Sequence, residues 1–77
     1  MKVWGIGTGR GRAIVAARTQ SEAALALGVS LYHFRGYACE TGNTVEIGVA
    51  LNEPGVVFWR SSSDHNGPYR KREKGDY

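Results

Sequence analysis

Arginines and large aromatic residues are the side chains of this sequence best suited to hold a ligand. The first twenty residues contain four cationic side chains and no acid, on a chain of net charge +3. A guanidinium makes charge-assisted hydrogen bonds to phosphate or carboxylate, and an aromatic ring stacks on a base or anchors a protein contact. We therefore predict an anionic partner, either a small ligand such as a nucleotide or an acidic protein surface. The predicted ligand-binding residues are Arg10, Arg12, Arg18, Arg60, Trp4, Trp59, Tyr32 and Tyr37.

The glycine-rich stretch GIGTGRG, residues 5–11, has two interpretations. Successive glycine N–H groups can cradle a phosphate, with Arg10 and Arg12 adding charge. No helix follows these glycines, however, and no lysine–serine pair closes them, as a P-loop requires. The simpler interpretation, which we favour, is the tip of a β-hairpin, where glycine adopts the positive φ angles that the turn needs.

Catalytic and metal-binding residues are sparse. No serine, histidine and acid combination is recognisable, and Cys39 is the only cysteine. The possible soft metal ligands Cys39, His33 and His65 lack paired spacing. We therefore expect a protein that is not an enzyme and that needs neither a metal nor another cofactor.

The length of 77 residues predicts a single small domain of limited stability. Self-association would add buried area, so we expect a homo-oligomer. No apolar stretch reaches the roughly 20 residues that span a bilayer, and we see no secretory leader. With one cysteine, these features favour a cytoplasmic protein that does not bind membranes.

Local signals predict strands and helices that would position these side chains. Two strands flank the glycine stretch, and VVFWR is a further strand. Thr19 and Glu22 form a capping box for a helix that Gly28 ends. Ser30 caps a second helix over LYHFRGYACE, residues 31–40, which Gly36 weakens.

Residues 44–53 are ambiguous. Their alternating apolar residues favour a strand, whereas Asn43 and Glu46 match a helical capping box. We expect Pro54 and Gly55 to occupy the centre of a type II turn. The strand interpretation gives an α+β fold of order β-β-α-α-β-β, a small antiparallel sheet with two short helices on one face. The other face would be exposed or form a dimer surface, with Trp4 and Trp59 as candidates to lie there.

The predicted domain covers residues 1–60. Residues 61–77 are polar and charged, and we predict a flexible tail unless a partner orders it.

The segment EAALALGVSLYHFRGYA, residues 22–38, resembles the helix-turn-helix of bacterial repressors. The resemblance implies an alternative function, DNA binding, with Ser30, Tyr32, His33 and Arg35 facing the major groove. Only Arg35 is a strong base reader, and few basic residues are near it to contact phosphates.

The unit in which AIVAART leads into TQSEAALALG looks like the small accessory proteins of bacteriophages. Many of these disable host defences or machinery by binding a host protein or by sequestering a signalling nucleotide. The resemblance covers residues 1–30 and implies a non-enzymatic inhibitor or sequestering protein, without assigning a role to individual residues.

Overall fold

A computed structural model describes residues 1–8, 11–61 and 68–71 of the chain. The elements, in chain order, are β1 (Lys2–Thr8), β2 (Gly11–Ala17), α1 (Gln20–Leu27), α2 (Leu31–Tyr37), β3 (Ala38–Glu40), α3 (Thr44–Asn52), β4 (Phe58–Ser61) and β5 (Arg70–Lys71).

β1 and β2 form the predicted hairpin, but residues 5–8 and 11 of the glycine-rich stretch lie within the two strands instead of at the tip. β1 and β2 pair antiparallel along their whole length, from Lys2 opposite Ala17 to Thr8 opposite Gly11. Residues 9 and 10 lie outside the described residues. Gly5 leaves room for the Arg12 side chain, because a Cβ at this position would meet the guanidinium of Arg12.

The strands form one antiparallel sheet in the order β3-β1-β2-β4-β5. This sheet and its helices confirm the predicted α+β class. Side chains alternate between the two faces of each strand, so neighbouring residues of β2 enter different apolar clusters. Val15 packs in one cluster and Ile14 in the other.

Helices α1 and α2 cover the first face, as predicted. Ala23, Ala24 and Leu27 of α1 and Phe34 of α2 are buried against the sheet. The side chain of Thr19 accepts the N–H of Glu22, and Gly28 ends α1 with a left-handed φ of 76°. The carboxylate of Glu22 accepts the N–H of Arg18, one residue before the position that the capping box predicts.

The other face is covered by α3, so the predicted strand over residues 44–53 is wrong. Asn43 caps this helix by accepting the N–H groups of Val45 and Glu46. Ala50 is fully buried against Val3, Ile14 and Phe58. The alternating pattern is misleading because these apolar residues also suit a short helix that closes the second face of the sheet.

Trp4 and Trp59 are buried, which contradicts the expectation that they lie on an exposed sheet face. Only 8% of Trp4 and 2% of Trp59 is exposed. Strand parity places both residues with Ile6, Ala13 and Val15 on the face that α1 and α2 cover.

The second helix is shorter than predicted, although Ser30 caps it by accepting the N–H of His33. It ends at Tyr37, and residues 38–40 form β3, which pairs with β1. Gly36 weakens the last turn of the helix. The backbone of residues 38–40 forms its hydrogen bonds with β1 instead of continuing the helix.

The expected type II turn is present. Val56 donates its N–H to the carbonyl of Glu53 at 3.2 Å, and Gly55 has a φ of 83°. Because residues 44–52 are helical, this turn connects α3 to β4 instead of joining two strands.

The described part of the predicted tail is Ser61, which ends β4, and residues 68–71. Arg70 and Lys71 form β5 beside β4. Residues 62–67 and 72–77, which contain most of the predicted tail, lie outside the described residues. Within the described ranges, no helix is long and apolar enough to cross a membrane.

Candidate binding surfaces

Arg12 and Arg60 are the only pair of predicted arginines, among those the structure describes, that lie opposite each other on adjacent strands. They share the sheet face that α3 covers. Arg12 Nε donates to Glu46 Oε2 at 2.6 Å, and Arg12 Nη2 donates to Oε1 at 3.1 Å. Arg12 therefore already holds an internal carboxylate in the two-pronged geometry that it would use for an external anion.

Glu46 accepts two further hydrogen bonds, and we call Arg12, Glu46, Thr41 and Tyr69 the Glu46 cluster. Thr41 Oγ1 donates to Glu46 Oε1 at 2.6 Å, and the Tyr69 hydroxyl donates to Oε2. The Glu46 side chain is only 6% exposed. A buried carboxylate needs this many partners, because burying an unpaired charge is costly.

The electrostatics of the cluster fix its protonation state near neutral pH. Burial by itself would raise the pKa of Glu46, but hydrogen bonds from Arg12, Thr41 and Tyr69 outweigh burial and lower the pKa to about 2. Burial and the bond to Glu46 raise the pKa of the Tyr69 hydroxyl. The hydrogen bond to Glu46 also raises the pKa of Arg12. The cluster therefore contains an ion pair that joins α3 to the sheet, and its members keep the same protonation states near neutral pH.

The Arg60 guanidinium lies over the ring of Tyr69, 4.6 Å from its centroid. Lys71 Nζ lies 3.1 Å from Glu53 Oε1. Together with the Tyr69–Glu46 bond, these contacts attach residues 68–71 to the domain. Arg60 and Tyr69 thus help to hold residues 68–71 against the rest of the domain.

The remaining predicted residues do not gather around the Glu46 cluster. Arg18 follows the far end of β2, beside an open groove of about 430 Å³ that Met1, Leu25 and Pro54 also line. Arg10 lies outside the described residues. Trp4 packs edge-on against Phe34 with ring centroids 5.6 Å apart, and Trp59 lies in the same buried cluster. In this conformation the two tryptophans are inaccessible to a ligand at the surface.

The outer face of α2 brings together residues from the predicted ligand-binding set and from the alternative DNA-binding set. We define the α2 face as Tyr32, His33, Arg35, Gly36 and Tyr37, all of which are exposed. Tyr32 is 91% exposed and Tyr37 is 68% exposed. Large aromatic side chains this exposed are typical of contact surfaces.

The local geometry of the α2 face follows from helix periodicity. Phe34 points inward and is 1% exposed, which anchors the helix and directs the neighbouring side chains outward. A Cβ at Gly36 would meet nothing within 4 Å, so this glycine leaves a gap between larger side chains. Tyr32, Arg35, Gly36 and Tyr37 line an open groove of about 630 Å³. The His33 and Tyr37 rings lie 4.7 Å apart.

The helix-turn-helix alternative receives limited support from this geometry. Two helices do follow one another through a three-residue connection, but α2 has only seven residues and Arg35 is its one arginine. The Ser30 hydroxyl accepts the N–H of His33 as the helix cap. Duplex binding depends mainly on several cations that contact phosphates.

The Glu46 cluster is the feature that sequence reasoning missed. Glu46 is the single charged residue of an otherwise uncharged segment, residues 44–52, and this is the signal that could have indicated a buried ion pair. Its partners could not be identified, because Arg12 is 34 positions away and Tyr69 is 23 positions away.

No protein-family model, curated protein or solved structure matches this chain. Among the described residues, no three histidine, cysteine or acidic side chains lie close enough together to hold a metal ion.

Proposed function

We propose that the protein is a small non-enzymatic binding protein whose α2 face recognises an acidic surface on a partner protein. The observation that carries the proposal is that the exposed Tyr32 and Tyr37 line one open groove together with Arg35. Tyrosine and arginine are the residue types that contribute most to protein–protein binding energy.

The shape of the α2 face favours a protein over a small ligand. Small molecules usually bind in concave sites that enclose most of their surface, whereas the groove here is open and lies on one exposed helix. A protein partner can cover both tyrosines and place a carboxylate beside Arg35. A nucleotide on the α2 face would find one guanidinium for its phosphates, that of Arg35, because Arg12 is already paired with Glu46.

The resemblance to phage accessory proteins suggests what such binding would achieve. An inhibitor of this kind would act by occupying an acidic surface of a host protein. A small domain with a preformed helix would lose little conformational freedom on binding.

The proposal is tested by affinity capture from a bacterial lysate with matched variants. We expect a protein that the wild type captures to be lost with Tyr32→Ala and with Arg35→Glu. Arg18→Glu is the matched control, since it reverses an exposed arginine outside the α2 face, and it should retain the captured protein. Equal capture by all four proteins would contradict the proposal.

A parallel measurement separates the alternatives. Wild type is titrated with ATP and with a duplex DNA of about 20 base pairs, which is long enough for two half-sites one turn apart. DNA binding that weakens steeply with salt and is lost with Arg35→Ala would favour the helix-turn-helix alternative. ATP binding that raises the melting temperature and depends on Tyr32 would favour a nucleotide ligand.

A further inference from the structure

Helix α3 directs its only charged side chain inward. Glu46 is 5% exposed and is bonded to Arg12, Thr41 and Tyr69, while every other residue from Thr44 to Asn52 is uncharged. A surface helix normally turns its apolar side to the core and its charges to solvent. In α3 this pattern is reversed at Glu46, and the side facing solvent carries no charge.

The outer side of α3 has a regular arrangement around Gly48. Glu46 and Ala50 mark the buried side, and at about 100° per residue Gly48 lies opposite them. Val45 precedes Gly48 by three residues and is 65% exposed, whereas Leu51 follows by three residues and is 42% exposed. A Cβ at Gly48 would meet nothing within 4 Å. The helix surface therefore has a shallow depression at Gly48, between the exposed apolar side chains of Val45 and Leu51.

We propose that this outer side of α3, formed by Thr44, Val45, Gly48, Leu51 and Asn52, is the contact surface between two copies of the chain. A two-fold axis beside Gly48 would set the two helices antiparallel, so that residues at equal distances before and after Gly48 meet. Val45 then packs on Leu51 of the partner subunit. Thr44 meets Asn52 of the partner subunit, and these side chains can share a hydrogen bond. The absence of a side chain at Gly48 lets the two backbones approach closely.

Charge selects a second copy as the occupant of this surface. The chain carries a net charge of +3, so two copies repel wherever their cationic faces approach. The outer side of α3 itself contributes no charge to such a contact. Pairing through the α2 face would instead bring two Arg35 side chains together. The α3 surface is thus compatible with an identical copy, while the α2 face suits a partner of opposite charge.

The size of the surface sets the expected strength of the dimer. A helix of nine residues is about 14 Å long. Its outer side offers less contact area than stable complexes bury, which is about 800 Å² per partner. We therefore expect a dissociation constant in the micromolar range, and the experiment must extend to roughly 1 mM protein.

The test is sedimentation equilibrium of the full chain, from about 1 µM to 1 mM, with a charge placed at the centre of the surface. Gly48→Lys suits this purpose because the position is open and lysine is a better helix former than glycine. We expect the wild-type mass to rise from one chain to two as concentration increases. The Gly48→Lys protein should keep its helical circular dichroism and dimerise at least tenfold more weakly.

Gly36→Lys is the matched control, because Gly36 is also helical and open but lies on α2. We expect its mass to rise with concentration as in the wild type. Val45→Ser is a second variant that tests the same surface without added charge, and it should also weaken the dimer. The proposal is overturned if the wild type stays a single chain throughout, or if a dimer persists unchanged in folded Gly48→Lys. Equal weakening by the two glycine variants would also overturn it, since added charge alone would then explain the loss.

Discussion

Arg12 and Glu46 are 34 positions apart in the chain, yet their side chains are joined by two hydrogen bonds of 2.6 and 3.1 Å. This pair connects the second strand to α3, the helix that closes the second face of the sheet. The sequence suggested Arg12 as a ligand-binding group, but its charge is already paired with the Glu46 carboxylate. The α2 face, which we propose as the binding surface, lies on the other side of the sheet.

Removing the Glu46 carboxylate should destabilise the fold. We expect Glu46→Gln to lower the free energy of unfolding by about 1–3 kcal/mol, because Arg12 loses its charged partner. Urea denaturation measures the change. The control is Glu40→Gln, which removes an exposed pair with Lys2 at 3.6 Å and should cost less than about 0.5 kcal/mol. Equal losses in the two variants would show that the Arg12–Glu46 pair has no special role.

Stability should fall in acid because the pKa of Glu46 is lower in the folded state. The folded pKa is about 2, against 4.5 for a glutamate side chain that is fully exposed to solvent. The contribution of this carboxylate is therefore complete above about pH 4.5 and is lost as the pH falls toward 2, where the folded state also takes up the proton. The shift corresponds to about 3 kcal/mol. Urea denaturation between pH 6 and pH 2 should show the decline in wild type and a smaller one in Glu46→Gln. A decline of the same size in both proteins would assign the acid sensitivity to other carboxylates.

The Tyr69 hydroxyl should contribute to stability separately from its ring. Tyr69→Phe removes the bond to Glu46 but keeps an aromatic ring under Arg60, so we expect a loss of about 1 kcal/mol. Tyr69→Ala also removes the stacking contact and should cost more. Thermal and urea denaturation of both variants measure the difference. Identical stability of wild type and Tyr69→Ala would mean that residues 68–71 do not stabilise the domain.

Gly5 should be intolerant of a side chain because of the position of Arg12. In Gly5→Ala the new methyl group would meet the guanidinium, which must shift and strain its two hydrogen bonds to Glu46. We expect a loss of about 1–3 kcal/mol in the free energy of unfolding. Gly7→Ala is the matched control on the same strand, since nothing lies within 4 Å of its Cβ, and it should be neutral or stabilising. Equal effects at the two glycines would contradict the described position of Arg12.

Local signals in the sequence predicted most of the fold. Thr19, Gly28 and Ser30 cap helices through contacts within five positions, and such contacts are visible in a short window of sequence. The pairing of β1 with β2 and the turn at Gly55 were also predicted, because both depend on residues that are close together in the sequence.

The errors arose where tertiary contacts decide between alternatives. Residues 44–52 alternate as a strand would, and the helix is favoured by the Asn43 cap and by the apolar sheet face that Ala50 covers. The candidate site was predictable only in part. Tyr32, His33, Arg35 and Tyr37 were named, but in two separate sets. The pairing of Arg12 with Glu46 depends on the folded arrangement of distant segments.

The dissociation constant of a purified, captured partner, compared between wild type and α2-face variants, tests the central claim most directly. We predict that Tyr32→Ala weakens binding at least tenfold, equivalent to about 1.4 kcal/mol. Arg35→Ala should weaken binding and reduce its dependence on salt, while Arg18→Ala leaves both unchanged. Wild-type affinity in both Tyr32→Ala and Arg35→Ala would contradict the assignment of the α2 face as the binding surface.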